Sequence, residues 1–152
     1  MTGTDDDQDQ IHATCIAMDG GGVLIRGASG SGKSDLALRL MDAGARLVAD
    51  DRVDLTGREG RLTATPPANI AGLLEVRGLG ILRFNHLPEV RVDLVVELAD
   101  GAHVARLPEP ASCTICGIEV PLMRLAAFEA STAAKVRLAL GLAAGRIMRG
   151  DD

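Results

Sequence analysis

Aromatic side chains are nearly missing from these 152 residues: there are two phenylalanines, no tyrosine and no tryptophan. Leu, Val, Ile and Ala must therefore fill the core, and a single-stranded nucleic acid would find no row of rings on which to stack its bases. Positive charge is also in short supply. The net charge is −5, but Asp5, Asp6, Asp7, Asp9, Asp151 and Asp152 lie at the two ends, and without them 15 acidic residues face 16 basic ones. A balanced body with acidic ends offers no basic stripe to displace counterions from a duplex, so nucleic acid is not an expected partner. Cysteine is scarce as well. Cys15, Cys113 and Cys116 cannot form a disulfide framework in a chain of this type. Cys113-Thr-Ile-Cys116 has no second pair of ligands and lies among β-branched residues, which favours small apolar strand residues over a metal or redox site. No apolar run is long enough for a membrane span and the amino terminus is acidic; the expectation is a cytoplasmic protein with no membrane partner.

What is present reads as one mixed α/β domain over 12–149, preceded by a disordered acidic segment over 1–11. A strand is expected at 12–18, then a turn at Asp19-Gly20-Gly21-Gly22 and a short, wholly apolar central strand, Val23-Leu24-Ile25. A helix is expected over 35–43 with Gly44 as its cap, followed by a strand over 45–51 that ends in two aspartates. Residues 53–55 and 61–64 form a hairpin. A short helix is expected over 70–76, a strand over 81–84 and a β-branched, alternating strand over 90–98. Weaker strands at 104–107 and 114–122 precede a long Ala- and Leu-rich helix over 125–148.

Between the apolar strand and the first helix lies Gly27-Ala28-Ser29-Gly30-Ser31-Gly32-Lys33-Ser34, a full GxxxxGK[ST] P-loop in its proper strand–loop–helix setting. Each part has a physical task. The glycines let the backbone curl so that successive N–H groups face one anion. The helix dipole adds positive potential there. Lys33 reaches the β- and γ-phosphates, and the Ser34 hydroxyl ligates Mg²⁺. A nucleoside triphosphate with Mg²⁺ is the implied ligand. A carboxylate must complete the site, and Asp50 and Asp51 end an apolar strand, where carboxylates reach the sheet edge on which such loops open. Asp93 and Glu97 are less suitable, because mid-strand carboxylates project from a face.

With these residues in place, the sequence resembles the catalytic domain of HPr kinase/phosphorylase, a family that phosphorylates a regulatory serine on the phosphocarrier protein HPr. The resemblance is carried by the P-loop, by Arg46-Leu47-Val48-Ala49-Asp50-Asp51-Arg52-Val53, and by Leu74-Glu75-Val76-Arg77-Gly78-Leu79-Gly80-Ile81. Pro66-Pro67 and Arg106-Leu107 fall in order around that last signature. It implies an ATP- and Mg²⁺-dependent protein serine kinase on a P-loop fold with a mixed β-sheet, like those of HPr kinase and phosphoenolpyruvate carboxykinase. By the same resemblance Asp51 is the base that takes the serine proton, Asp50 shapes the site, Glu75 joins Ser34 as a Mg²⁺ ligand, and His12 and Arg106 are active-site residues. Arg77, Gly78, Leu79 and Gly80 face the protein substrate, and the assembly is a homo-oligomer, a hexamer in the family.

Two departures bear on activity. Ala28 stands where the family usually has aspartate. Pro121-Leu122-Met123-Arg124 is two residues shorter than the family segment linked to dephosphorylation and lacks its lysine and glycine. Kinase activity is the expectation, with phosphorolysis left open. About eleven residues precede His12, which resembles the short form without the usual amino-terminal domain. The competing readings are a small-molecule kinase, for which a chain this short offers little material for a lid, and a non-catalytic ATP sensor, which has no need of a base.

Overall fold

The alternating run expected at 90–98 is the axis of the molecule. The computed structural model describes residues 7–150. Its elements in chain order are β1 (Asp7–Ile11), β2 (Thr14–Met18), β3 (Gly21–Arg26), helix α1 (Lys33–Asp42), β4 (Arg46–Ala49), β5 (Val53–Arg58), β6 (Arg61–Thr65), β7 (Leu73–Val76), β8 (Gly80–Arg83), β9 (Val90–Ala99), β10 (Ala111–Ile115), β11 (Ile118–Ala126) and helix α2 (Thr132–Ala143), with single 3-10 turns at Ala68–Ile70 and Gly101–His103. Nine of the strands form one curled mixed sheet in the order β1-β5-β6-β9-β3-β2-β4, with β10 and β11 branching from β9. The start of β9 pairs antiparallel with β6, and its later residues pair parallel with β3 on one side and β11 on the other.

The inward faces follow from period-two alternation. Cys15, Leu24 and Val95 face one apolar cluster, enclosed by β5, β6, β10 and β11. Ile16, Val23, Ile25 and Val96 face a second, covered by α1 and α2 through Leu36, Leu40, Val136 and Leu140. Val92 faces the first cluster and Leu94 the second, although alternation would give them the same face. The register with β3 slips there, from Gly22↔Val92 to Val23↔Leu94, so Asp93 is the extra residue of a β-bulge. One strand thereby serves two cores.

Three hairpins close through two-residue turns with both φ angles positive: Asp19-Gly20, Glu59-Gly60 and Cys116-Gly117. This is the backbone form whose twist matches paired strands. The third turn corrects the single strand expected over 114–122, which is instead the β10–β11 hairpin. Cys113 is a strand residue as expected, whereas Cys116 sits in the turn. Other expectations also fail for local reasons. Residues 7–11, expected to be disordered, pair along β5 through the backbone, with Gln10 Nε2 donating to Asp54 Oδ1 at 2.7 Å; residues 1–6 of that segment lie outside the described residues. The helix expected over 70–76 is a 3-10 turn followed by β7, because Gly72 takes φ +80° and Leu74 and Val76 then alternate inward. Residues 104–107 form an exposed loop rather than a strand, ahead of two prolines that lack a ladder donor. The final helix starts late because Leu125 and Ala126 are paired to Leu98 and Ala99, and Gly145 at φ +75° follows its end.

The two remaining strands, β7 and β8, form a separate antiparallel ribbon. Its Leu74, Val76 and Leu82 lean on Leu47 of β4 and on Leu38 and Met41 of α1. Among the described residues no helix is long and apolar enough to cross a membrane.

Candidate functional site

Strand direction determines which loops meet. β9 and β11 run parallel to β3, and β4 does too, because each is antiparallel to the intervening β2. The carboxyl ends of β3, β4, β9 and β11 and the amino end of β2 therefore share one edge, the position where open α/β sheets bind ligands. That edge receives the glycine-rich loop after β3, Asp50 and Asp51 after β4, the loop carrying Arg106 after β9, and His12 just before β2. The ribbon, packed on α1 and β4, carries Glu75, Arg77, Gly78, Leu79 and Gly80.

The glycine-rich loop curls with Gly30 at φ +77° and Gly32 at +101°, and the Ser31 N–H donates to the Ala28 carbonyl at 3.0 Å. Gly32 caps α1 without any side-chain acceptor, so the first N–H groups of the helix keep their capacity for an anion. The Ser31 hydroxyl is buried without a hydrogen-bond partner among the described residues, an arrangement that is costly unless a ligand or water completes it. Lys33 Nζ donates to the carbonyls of Gly27 at 2.9 Å and Ala28 at 3.0 Å, so its ammonium is held at the loop it would leave to meet a phosphate. Uncapped helix donors, an orphaned hydroxyl and a tethered cation fit a polyphosphate.

Asp50 and Asp51 are neighbours with opposite surroundings. Asp50 is 6% exposed, and its Oδ1 accepts from Thr14 Oγ1 and from Ser34 Oγ, both at 2.8 Å. Asp51 is exposed and takes φ +69°, with the Arg52 N–H donating back to the Asp50 carbonyl at 2.8 Å. A tight reversal at a non-glycine residue stores backbone strain, and here it separates the surroundings of two consecutive carboxylates. Asp51 and Arg52 border a cavity of about 280 Å³ with Gln10, Pro67, Asn69 and Ile70. Ser34 and Asp50 are hard oxygen donors of the kind Mg²⁺ takes. No cluster of three or more His, Cys, Asp or Glu with metal-site geometry occurs among the described residues. An ion bound here would draw most of its ligands from phosphate and water, which suits Mg²⁺.

The other residues singled out from sequence lie around this core without bonding to it. His12 is exposed at the bend between β1 and β2, Glu75 is exposed opposite Ile81 on the ribbon, and Arg106 is exposed in its loop. Arg77, Gly78, Leu79 and Gly80 form the exposed ribbon tip, where the Leu79 N–H closes on the Val76 carbonyl at 2.9 Å.

Sequence reasoning passed over three features. Thr14, fully buried, holds Asp50 from β2; nothing in a strand threonine announces that. Glu97 bridges Arg26 Nε at 3.2 Å and Arg124 Nε at 3.0 Å, joining the carboxyl ends of β3, β9 and β11. Phe128, just after β11, lies against Gly32, and the rarity of rings in this chain is a signal that could have found it. The thiols stay protonated at neutral pH. Burial pushes Cys15 up to about 12. Burial also raises Cys113, with Arg26 opposing and Glu97 adding to the shift, and it raises Cys116, helped by Asp9 and Asp7.

A family model described as the HPr Serine kinase C-terminal domain matches residues 6–137. The HPr kinase/phosphorylase of Clostridium tetani is 49% identical over 73 residues, covering 48% of this chain and 24% of that protein. That of Levilactobacillus brevis is 38% identical over 112 residues, covering 66% of this chain and 36% of that protein. Matches thus span about a quarter to a third of the length of these curated relatives. The solved structure of the Hpr(Ser) kinase/phosphatase from Coxiella burnetii aligns with a TM-score of 0.78 at 26% identity, covering 87% of this chain and 93% of that one. Its curled mixed α/β sheet is the architecture described above. The family model spans most of the chain, and the chain belongs to the HPr serine kinase C-terminal domain family.

Proposed function

We propose that this protein is an ATP- and Mg²⁺-dependent kinase that transfers the γ-phosphoryl group to the regulatory serine of HPr. The observation that carries this reading is the divergence of the two strand-end carboxylates: Asp50 buried on the Ser34 hydroxyl, and Asp51 exposed one residue later at the same sheet edge. A site needs one oxygen cluster for a metal and a separate base for the acceptor, and this turn supplies both from adjacent residues.

In the proposed reaction the loop N–H groups hold the phosphates and Lys33 exchanges its carbonyl partners for phosphate oxygens. Ser34, Asp50 and Glu75 are the residues that would hold Mg²⁺, which when bound neutralises charge on the phosphates. Asp51 accepts the serine proton as the serine oxygen–phosphorus bond forms and the bond to the leaving ADP oxygen breaks. Arg106 stabilises charge on the transferring group, and His12 lies at the same edge as a further polar contact. The exposed ribbon tip, Arg77 to Gly80, receives the protein substrate. Phosphorolysis, the same bond changes run backwards with inorganic phosphate as acceptor, belongs to this proposal, as do a homo-oligomeric state and a cytoplasmic setting.

The test is transfer from labelled ATP·Mg²⁺ to HPr of the same organism, with a serine-to-alanine HPr as control. Label that appears on HPr and vanishes with the control supports the kinase. ATP binding without any labelling would remove HPr as the substrate. Adding inorganic phosphate to the phosphorylated product then measures the reverse direction.

A further inference from the structure

We infer that Phe128 is the nucleobase contact of the nucleotide site, a specificity-determining residue that makes the protein prefer a nucleotide to a bare polyphosphate; the inference rests on the nucleotide reading above. Three observations meet at this ring. Its position follows from topology, since β11 ends at the same sheet edge as β3 and Phe128 comes two residues later. Its contact is with the phosphate loop itself. A Cβ built on Gly32 would lie 2.7 Å from Phe128 Cζ and 2.9 Å from Cε1, so the ring borders the residue that opens α1. Yet the side chain remains 72% exposed, leaving much of the ring to water beside the loop.

The segment carrying the ring is held from both sides. Arg39 of α1 donates to the carbonyls of Ala127 and Glu129 and is itself paired with Asp35 at 3.0 Å. Thr132 Oγ1 donates to the Ala126 carbonyl at 2.5 Å, and Lys135 Nζ meets Glu129 Oε1 at 2.8 Å. The helix whose amino end closes the loop is therefore bonded to the segment that presents the ring. Such a ring can stack on a base with little loss of freedom, because its mounting is already ordered. The chain's other phenylalanine, Phe84, packs with the ribbon cluster instead, so no second phenylalanine shares this task. Stacking uses the face that every base possesses, and the carboxylate next to the ring is occupied by Lys135. The expected preference is for a base over none, with little discrimination between adenine and guanine.

The experiment measures binding of ADP·Mg²⁺, GDP·Mg²⁺ and inorganic triphosphate·Mg²⁺ to the full chain, to Phe128→Ala and to Phe128→Trp by calorimetry. Phe128→Ala should weaken both nucleotides roughly ten-fold, the size of one stacking contact, and leave triphosphate unchanged. Phe128→Trp should restore nucleotide affinity. Because the chain has no other tryptophan, its fluorescence should respond to ADP and not to triphosphate. Equal loss of all three ligands would make the ring a brace for the loop, and unchanged affinities or a silent tryptophan would likewise overturn the inference. A change of oligomeric state in Phe128→Ala with base preference intact would make Phe128 an interface residue. Wild-type protein that binds none of the ligands would remove the nucleotide reading and this inference with it, whereas intact wild-type binding with no effect at Phe128 removes the inference alone.

Discussion

The phosphate-loop edge and the β7–β8 ribbon both carry residues singled out from the sequence, but they are built in opposite ways. At the edge, Thr14, Ser34 and Asp50 are bonded to one another in a mostly buried cluster, and Lys33 is tethered to two carbonyls. On the ribbon and the neighbouring loop the side chains face outward. Leu79 is 73%, Ile81 69% and Leu107 82% exposed, and among the described residues neither Arg77 nor Arg106 is paired. The first region has its polar groups arranged before any ligand arrives, which is what phosphoryl chemistry exploits. The second leaves apolar surface exposed, as interaction sites do. Under the proposed function the small ligand and the reaction fall to the edge, and recognition of the protein acceptor to the ribbon.

Substitutions can separate the two. Lys33→Ala should have the largest effect, lowering phosphoryl transfer about a thousand-fold and weakening ATP in calorimetry, with the folded signal in circular dichroism retained. Asp51→Asn should divide the edge internally: single-turnover transfer falls about a hundred-fold, while ADP affinity stays at the wild-type level. Loss of ADP binding in that variant would show that the turn at Asp51 is structural. A double change on the ribbon, Leu79→Ala with Ile81→Ala, should raise KM for the protein acceptor roughly ten-fold and leave KM for ATP unmoved. Equal changes in both constants would erase the distinction drawn here. Thr14→Val should be smallest in activity and visible in stability. Removing one donor from a buried carboxylate costs about 1–3 kcal/mol, which lowers Tm by several degrees at this chain length.

Much of the edge is legible in the sequence because its signals are local. Val23-Leu24-Ile25, the glycine pattern and the following apolar helix each depend on neighbours within a few residues, and Asp50 and Asp51 stand at the end of their own apolar run. The illegible parts depend on distant partners. Residues 7–11 look unstructured until β5 offers its edge, and Thr14 is an ordinary strand residue until Asp50 arrives from 36 positions away. Cys116-Gly117 is a weak turn signal inside a β-branched run. The bulge at Asp93 is invisible to alternation, since it breaks the rule by which strands are read. Phe128 is conspicuous by type, but its contact with Gly32 exists only after β11 has joined β9.

The three two-residue turns also set an order of events. Hairpins of this kind close in roughly 1–10 µs, so β2–β3, β5–β6 and β10–β11 can form as independent local units. The parallel pairings β3–β9 and β9–β11 join segments far apart in sequence or separated by a loop, and non-local contacts of this kind form slowly. The edge that carries the glycine-rich loop consists of the ends of those parallel strands and should therefore be completed last. In stopped-flow refolding, the far-ultraviolet signal should recover ahead of nucleotide binding. Simultaneous recovery would mean that β9 enters the nucleus with the hairpins. A nucleotide present during synthesis would act as an inspector of the finished chain, bound only by molecules whose last strands are in place.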